Sequence, residues 1–266
     1  MKPIAIVIPY FRAPEALRLN LECLSKQAGV SVNIFVRDNS EDNILFTRAV
    51  NEGLRRYCFS GEHDYVLVLN QDAYLRPGCL QELLSAMESA PTAGICAPIS
   101  ISEDEEVNWC GGADAYPWGR HLTVDINTLP EAPYESHWAN GACVLLKVAM
   151  VREIGLMDEN MRFICSDSDY SFTARSRGWK VLVAPRAFVQ HSLSGSAAVA
   201  NPSLNRIKLQ DQLYFSEKWL NGDLYRKLAF EGNVLGSCRR AFKFDQVCAL
   251  NFDQGLLPAR HGLACG

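Results

Sequence analysis

The sequence lacks the motifs that mark several large classes of protein. It contains no CxxC pair, no GxGxxG or other glycine-rich phosphate loop, and no GxSxG or HExxH motif. These absences give no support to a nucleoside triphosphatase or dinucleotide-binding protein, and they weaken the case for a hydrolase or zinc protease. No apolar run approaches the roughly 18 residues that a membrane-spanning helix needs. The longest candidate, residues 141–151, is interrupted by Lys147, so we expect a soluble protein.

An excess of basic charge is also missing. The chain has 26 Lys and Arg against 30 Asp and Glu, which gives a formal net charge of −4 and a pI near 5.8. Nucleic-acid-binding domains usually carry a basic surface, so we expect no nucleic-acid partner. The ten cysteines are not paired in motifs, and the N-terminal apolar run is too short for a signal sequence. We therefore expect reduced thiols and a protein in the cytoplasm or at the inner face of the membrane.

The first hundred residues contain apolar strands that alternate with amphipathic helices. Residues 4–8, 32–36, 65–69 and 94–98 are predicted strands. Helices are predicted to begin near Pro14, Asp42 and Pro77. This alternation predicts an α/β fold with a Rossmann-like, mostly parallel central sheet flanked by helices. In such sheets, ligands bind beyond the carboxyl ends of the strands.

Polar residues follow three of these strands at the end where a ligand would bind. The groups are Tyr10-Phe11 after the first strand, Asp38-Asn39 after the second, and Asn70-Gln71-Asp72 after the third. An acid that follows a buried strand is not needed for folding, which favours a functional role. The alternative is that each Asp or Asn simply forms a turn.

After residue 98 the periodicity weakens. Residues 100–137 are predicted to form loops and antiparallel strands over one end of the sheet, on the acceptor side of a cleft. Trp109, Trp118 and Trp138 are candidates for stacking on sugar rings, although aromatic residues in such a segment are more often core. Residues 141–147 are a predicted strand, 148–154 a short helix, and 203–220 and 225–235 further helices.

The stretch from Asp158 to Ser196 contains the strongest chemical candidates. Asp167 and Asp169 lie at the start of a predicted helix, and His191 ends the apolar strand that follows. Asp72 with another hard ligand can bind Mg²⁺ or Mn²⁺ against a diphosphate. A carboxylate away from that metal can accept a proton from an incoming hydroxyl. Two acids two residues apart on a helix point about 200° apart, so only one of them can face a substrate.

These residues together resemble family 2 glycosyltransferases with the GT-A fold, including rhamnosyltransferases of that family. The likeness covers about residues 3–220. The matching segments, in order, are IVIPYFRAPEALRLNLECL, RDNSED, FTRAVNEGL, VLVLNQDAYLRPG, WANGACVLLKVAMVREIGLMDE, SDSDYSFTARSRGWKVLVAPRAFVQH and YFSEKW. Each segment alone is a weak signal, and their order and spacing together are a strong one.

The resemblance implies an inverting, metal-assisted transfer of a sugar from a nucleotide diphosphate to a hydroxyl. It implies Asp167 as general base, with Asp169 as the weaker candidate, and Asp72 and His191 as contacts of Mg²⁺ or Mn²⁺. It implies a nucleotide-binding group and an acceptor or sugar group. The nucleotide-binding group is Pro9, Tyr10, Arg12, Asp38, Asn39, Asn51, Asn70 and Gln71, and the acceptor or sugar group is Trp138, Asn140 and Gly141.

Three positions depart from the family pattern. Ser166 occupies the position where the family usually has the first acid of a Glu-Asp pair. Asn70, a poor metal ligand, occupies the first position of the DxD-type metal motif. Thr173 occupies the position of an arginine that is common in the family. The first and third differences remove charges that could orient Asp167, and they make a catalytically idle nucleotide-sugar-binding module the main alternative. A sugar-nucleotide pyrophosphorylase is a second alternative, but the loop after the first strand lacks the glycines that it would need.

The expected organisation is a glycosyltransferase domain over residues 1–220, with a nucleotide-binding half (1–98) and an acceptor and catalytic half (99–220). Residues 221–266 are expected to form a helical extension and tail. The expected partners are a UDP- or dTDP-linked sugar donor and a glycan, lipid-linked glycan or protein acceptor. The basic and aromatic residues after Ser237 suggest peripheral membrane contact, with a tail packed on the domain as the alternative.

Overall fold

The computed structural model describes residues 2–113, 120–192 and 202–219. Trp118, the predicted helix at 225–235 and the basic-aromatic tail lie outside the described residues. Among the described helices, none is both long and apolar enough to cross a membrane.

A nine-stranded sheet forms the centre of the described structure. Its main path has the order β2-β1-β3-β10-β5-β11-β4, with β6 paired to β5 and β9 paired to β11. The strands of this sheet are β1 (Ile4–Tyr10), β2 (Val32–Asp38), β3 (Tyr65–Leu69), β4 (Ala73–Leu75), β5 (Ala93–Ile101), β6 (Val107–Trp109), β9 (Tyr134–Glu135), β10 (Cys143–Lys147) and β11 (Lys180–His191). A separate two-stranded sheet pairs β7 (Gly112–Ala113) with β8 (Arg120–His121).

The predicted mostly parallel α/β sheet is confirmed, with one important exception. Strands β1, β2 and β3 are parallel, and β11 is parallel to β5. Strand β10 lies antiparallel between β3 and β5, so the sheet is mixed at this point. Because Cys143 of β10 pairs with Leu69 of β3, the chain that enters β10 passes the carboxyl end of β3.

Six α-helices and one short 3-10 helix (Ile126–Thr128) accompany the sheets in the described ranges. The α-helices are α1 (Pro14–Ser25), α2 (Leu45–Cys58), α3 (Cys79–Glu88), α4 (Val148–Ile154), α5 (Ser166–Ser176) and α6 (Pro202–Trp219). Pro14 begins α1 as predicted, where its missing N–H costs little. The helix predicted from Asp42 begins three residues later, at Leu45.

Two apolar cores lie on the two sides of the sheet. One contains Val7, Val50, Leu54 and Val68 among its buried residues, and the other contains Ile6, Leu67 and Leu83. Neighbouring residues of β1 therefore face opposite cores, which is why this strand is continuously apolar. The seven cysteines in the described ranges are free thiols, and most are buried.

Helix α2 approaches β1 closely at Gly53. A Cβ atom built on Gly53 would lie 2.4 Å from both terminal methyl carbons of Val7. Glycine at this position therefore allows the helix backbone to pack directly against the strand.

We expect Gly53→Ala to lower the free energy of unfolding by about 1–3 kcal/mol, because the added methyl group overpacks the core. In the double variant Val7→Ala/Gly53→Ala, the loss should be smaller than the sum of the two single losses, because truncating Val7 removes the clash. Urea denaturation of the four proteins measures this coupling. If the losses of unfolding free energy in the two single variants simply add in the double variant, the contact with Val7 is not the reason that glycine is needed at position 53.

Candidate active site

A cleft of about 1040 Å³ opens at the carboxyl ends of the parallel strands. Its walls come from the segments after β1, β2 and β3, from the start of β10, from the start of α5 and from the end of β11. Of the site residues predicted from sequence, the structure brings together Pro9, Tyr10, Arg12, Asn39, Asn70, Gln71, Asp72, Trp138, Asn140, Gly141, Asp167 and His191.

Asp72 and His191 form a polar corner of this cleft. Strands β4 and β11 pair antiparallel with His191 opposite Ala73, which places the histidine next to the segment after β3. His191 Nε2 lies 3.6 Å from Asp72 Oδ1, which is beyond a good hydrogen bond. Burial would raise the pKa of Asp72, but His191 and the backbone amide of Asp72 together lower this pKa below its ordinary value.

The chemistry of this corner fits a divalent cation that shares its coordination with a substrate. Asp72 offers a carboxylate, and His191 directs its Nε2 atom towards that carboxylate. Within the described ranges, no group of three or more His, Cys, Asp or Glu side chains surrounds a common point. Two protein donors are sufficient for Mg²⁺ or Mn²⁺ where phosphate oxygens and water complete the shell.

Asp167 lies in the first turn of α5 and faces the same cleft. Its Oδ2 accepts a hydrogen bond from Gly141 N at 3.0 Å, and its Oδ1 accepts one from Ser168 N at 2.8 Å. Burial raises the pKa of Asp167 above its ordinary value, while these two amides and the nearby His121 counteract the rise. Gly141 approaches so closely that a Cβ atom on it would lie 3.1 Å from Asp167 Cβ.

Asp169, the weaker candidate base, does not reach the cleft. Its side chain is 2% exposed, and its Oδ1 accepts a hydrogen bond from Trp219 Nε1 at 2.6 Å. Lys218 Nζ contacts the same oxygen at 2.8 Å. The helical periodicity turns Asp169 towards α6 and Asp167 towards the cleft, so the structure corrects the assignment of Asp169 as a catalytic candidate.

Asn51 also lies outside the cleft, and its assignment to nucleotide binding is corrected. The residue is fully buried, its Nδ2 donates to Met157 O at 2.9 Å, and its Oδ1 accepts from Met157 N at 3.0 Å. Nδ2 also lies 3.1 Å from Glu159 Oε1. Asn51 therefore joins α2 to the segment before α5, which the spacing of the Asn-x-Gly motif could not distinguish from ligand binding.

Asp38 lies at the rim rather than among the residues that line the cleft. Its backbone pairs with Tyr10 at the ends of β1 and β2, and its exposed carboxylate accepts a hydrogen bond from Ser40 N at 2.8 Å. Asp38 thus stabilises the turn after β2, as the alternative interpretation of the sequence predicted. The exposed side chain remains available to a ligand at the edge of the cleft.

The wall near β1 is organised by internal hydrogen bonds. Gln71 Oε1 accepts from Phe11 N at 2.8 Å, and Arg12 Nε donates to Ser40 O at 3.0 Å. The Arg12 guanidinium also lies 5.2 Å from the centre of the Phe11 ring. Gln71 therefore contributes to the shape of this wall through its amide, and the loop after β1 contributes Tyr10, Phe11 and Arg12 to the lining.

The wall of the cleft near Trp138 contains a histidine that the sequence motifs did not identify. Trp138 is 3% exposed and packs on Gly112, where a Cβ atom would lie 2.2 Å from Trp138 Nε1. His121 lies with its ring centre 5.3 Å from that of Trp138, and it lines the cleft. Trp138 thus supports His121 and has little surface left for stacking on a sugar. Trp109 is fully buried, so its alternative role as a core residue is the one observed.

An apolar part of the lining was also missed from sequence. It consists of Leu45, Phe46, Phe163, Ile164 and Leu204. These residues come from α2, from the segment before α5 and from α6. They belong to no motif, and only the packing of the three segments brings them together.

The overall fold is that of the GT-A glycosyltransferases. The crystal structure of GalNAc-T7 with UDP, GalNAc and Mn²⁺ superimposes on 96% of this chain and 55% of that chain, with a TM-score of 0.67 and 13% sequence identity. The sequence also matches the family described as glycosyl transferase family group 2 over residues 65–247. Because this match spans more than half of the chain, the protein belongs to glycosyl transferase family group 2.

Two curated relatives are similar to part of the chain. They are the N-acetylglucosaminyl-diphospho-decaprenol L-rhamnosyltransferases of Mycobacterium tuberculosis strains CDC 1551 / Oshkosh and ATCC 25618 / H37Rv. Each is 26% identical over 145 residues, which cover 48% of this chain and 47% of the relative. The aligned region is therefore about half the length of these relatives.

We expect Lys218→Met to lower the free energy of unfolding by about 3–5 kcal/mol, because it removes a cation from the buried carboxylate of Asp169. The double variant Lys218→Met/Asp169→Asn should recover much of this loss, since a neutral amide needs no cation and its oxygen still accepts the hydrogen bond from Trp219 Nε1. Urea denaturation measures both effects. A Lys218→Met protein as stable as the wild type would show that Asp169 does not depend on this contact.

Proposed function

We propose that this protein transfers a sugar, with inversion, from a nucleotide-diphosphate donor to an acceptor hydroxyl. The observation that supports this most is that one cleft contains both the Asp72–His191 corner and the separate carboxylate of Asp167. Metal-assisted group transfer needs cationic charge at the leaving phosphate and a base at the attacking hydroxyl. Asp72 has a lowered pKa beside His191, which suits a cation ligand, and Asp167 has a raised pKa because it is buried, which suits a base.

The donor would bind across the carboxyl ends of β1, β2 and β3. Asp38 at the rim would contact the base, while Tyr10, Arg12, Asn39 and Asn70 would contact the rest of the nucleotide. Residues 1–98 would thus form the donor half, with Asp72 directed at the diphosphate. UDP and dTDP both suit this arrangement, and the GalNAc-T7 structure contains UDP and Mn²⁺.

Asp72 and His191 would bind the divalent cation together with the donor diphosphate. When bound, Mg²⁺ or Mn²⁺ would neutralise negative charge that develops on the departing nucleotide. The lowered pKa of Asp72 keeps this carboxylate ionised as a ligand. His191, which is 9% exposed, lines the cleft beside Asp72.

Asp167 would act as the general base. Its raised pKa makes it a better proton acceptor than an exposed aspartate, while hydrogen bonds from two backbone amides stabilise its charged form. The hydroxyl would lose its proton to Asp167 as its oxygen forms a bond to the anomeric carbon. Attack from the side opposite the departing diphosphate inverts that carbon.

The acceptor would lie against the apolar lining between α2 and α6. Phe46, Phe163, Ile164 and Leu204 favour an acceptor with an apolar group near its hydroxyl, such as a lipid-linked glycan. The names of the curated relatives give a lipid-linked acceptor, a diphospho-decaprenol, and L-rhamnose as the sugar. A lipid-linked acceptor would place the protein at the inner face of the membrane, whereas a soluble glycan or a protein acceptor would not.

Asp167→Asn should lower the transfer rate by about 10²–10⁴-fold, because the amide keeps the shape of the side chain but accepts no proton. Nucleotide-sugar affinity, measured by calorimetry, should stay unchanged. Asp104→Asn makes the same change in net charge at an exposed loop position and should leave the rate unaltered.

A rate close to that of the wild type in Asp167→Asn would assign the base to another residue. A wild-type protein that binds nucleotide sugars but neither hydrolyses nor transfers them would establish the alternative of an idle binding module. The absence of an acid at Ser166 and of an arginine at Thr173 makes that comparison informative.

Asp72→Ala should abolish the increase in donor affinity that Mn²⁺ gives to the wild-type protein, because the variant lacks the carboxylate ligand. Calorimetric titration of the nucleotide sugar with and without Mn²⁺ measures the difference. His191→Ala should change it in the same direction, and Asp104→Ala should not change it. If Mn²⁺ raises donor affinity equally in Asp72→Ala and wild type, Asp72 is not a metal ligand.

A further inference from the structure

Helix α6 inserts a fully buried carboxylate beneath the segment that leads into α5. Asp211 has no exposed surface, and its Oδ2 accepts hydrogen bonds from Phe163 N at 2.7 Å and from Ile164 N at 3.0 Å. Two consecutive backbone amides thus converge on one oxygen. A carboxylate makes stronger hydrogen bonds with such amides than a neutral group does.

The two anchored residues lie directly before the proposed base. Phe163 and Ile164 both line the cleft, and Cys165 follows with a φ of 66°, a left-handed conformation that is costly for a residue other than glycine. Helix α5 then begins at Ser166, and Asp167 is its second residue. The direction in which Asp167 enters the cleft therefore depends on how these preceding residues are fixed.

The same segment is fixed from its other side by α2. Thr47 Oγ1 donates to Met161 O at 2.5 Å, and Thr47 N donates to Arg162 O at 3.1 Å. The carbonyl groups of residues 161 and 162 are thus bound by α2, while the amides of the next two residues are bound by Asp211. Opposed anchors of this kind determine the orientation of the backbone between them.

We propose that Asp211 is a positioning residue that holds Asp167 in its reactive geometry by fixing the backbone of Phe163 and Ile164. This inference rests on the assignment of Asp167 as the base. Besides the contact of Asp211 with the segment before α5, α6 also contacts α5 itself, where Lys218 and Trp219 bind Asp169. Asp211 fixes residues 163 and 164, which precede the left-handed Cys165, and Lys218 and Trp219 fix Asp169, which follows Asp167. Helix α6 therefore constrains the backbone on both sides of Asp167.

Stability alone does not account for an acid at this position. The second carboxylate oxygen, Oδ1, is buried without a hydrogen-bond partner among the described residues. A buried polar atom without a partner is destabilising, so the position of such an atom calls for an explanation. The benefit that offsets this cost is the pair of hydrogen bonds by which Asp211 fixes the segment before α5.

The test compares Asp211→Ala, Asp211→Asn and Leu213→Ala, the last being an exposed residue of the same helix. In Asp211→Ala we expect the turnover number to fall by about 10²-fold, the effect of a misplacement of roughly 1 Å at a reacting group. Donor affinity should not change, because Asp72 and His191 belong to a different wall. Asp211→Asn should retain most of the turnover, since its amide oxygen can accept both N–H groups, and Leu213→Ala should behave as wild type.

Hydrogen exchange provides a readout that does not depend on activity. The amides of residues 163–167 should exchange faster in Asp211→Ala and at nearly the wild-type rate in Asp211→Asn. If the alanine variant does not fold, Asp211→Ser, whose side chain is too short to reach both amides, replaces it in each measurement.

Unchanged turnover in Asp211→Ala would overturn the proposal. Parallel losses of donor affinity and turnover, without recovery in Asp211→Asn, would also overturn it, because they indicate a general structural role. If the wild-type protein transfers no sugar, the proposed function fails, and the exchange rates of residues 163–167 still decide whether Asp211 fixes this segment.

Discussion

The hydrogen bond from Gly141 N to Asp167 Oδ2 connects the two halves of the proposed active site. Gly141 lies at the entrance to β10, and the next residue, Ala142, accepts a hydrogen bond from Asn70 N at 2.8 Å. Asn70 is only two residues before Asp72. Through these two bonds, the segment that leads into β10 links the carboxyl end of β3 to α5. Any side chain on Gly141 would contact Asp167, which explains a glycine there.

The cleft thus contains two carboxylates in contrasting environments. Asp72 lies next to His191, which lowers the pKa of Asp72 and makes it suitable as a cation ligand. Asp167 is buried, and its raised pKa makes it suitable as a proton acceptor. Acid and base roles in enzymes are commonly assigned by such differences in environment. The proposed inverting, metal-assisted transfer of a sugar would use both groups at once.

Much of the fold and part of the site could be predicted from the sequence. Continuous apolar runs identified the strands, and Asp72 and His191 could be placed at one edge because residues at the carboxyl ends of parallel strands meet there. Asp167 lies at the start of a helix, and its place in the same cleft followed only from the resemblance to family 2 glycosyltransferases. The antiparallel direction of β10 could not be predicted, since apolar periodicity is the same for either direction. Asn51 was misassigned because a buried amide that binds Met157 and one that binds a ligand have the same local sequence. His121 was missed because only its packing on Trp138 brings it into the cleft.

The central claim is that one cleft binds a cation at Asp72 and His191 and presents Asp167 to the acceptor on the other side of the donor sugar. The most direct measurement is a crystal structure with Mn²⁺ and an intact nucleotide sugar, with the metal located by anomalous scattering. The account predicts a manganese peak between Asp72, His191 and the diphosphate, with the Asp167 carboxylate nearest the anomeric carbon on the face opposite the phosphate. A manganese peak away from Asp72 and His191, or an Asp167 carboxylate on the same face as the diphosphate, would contradict it.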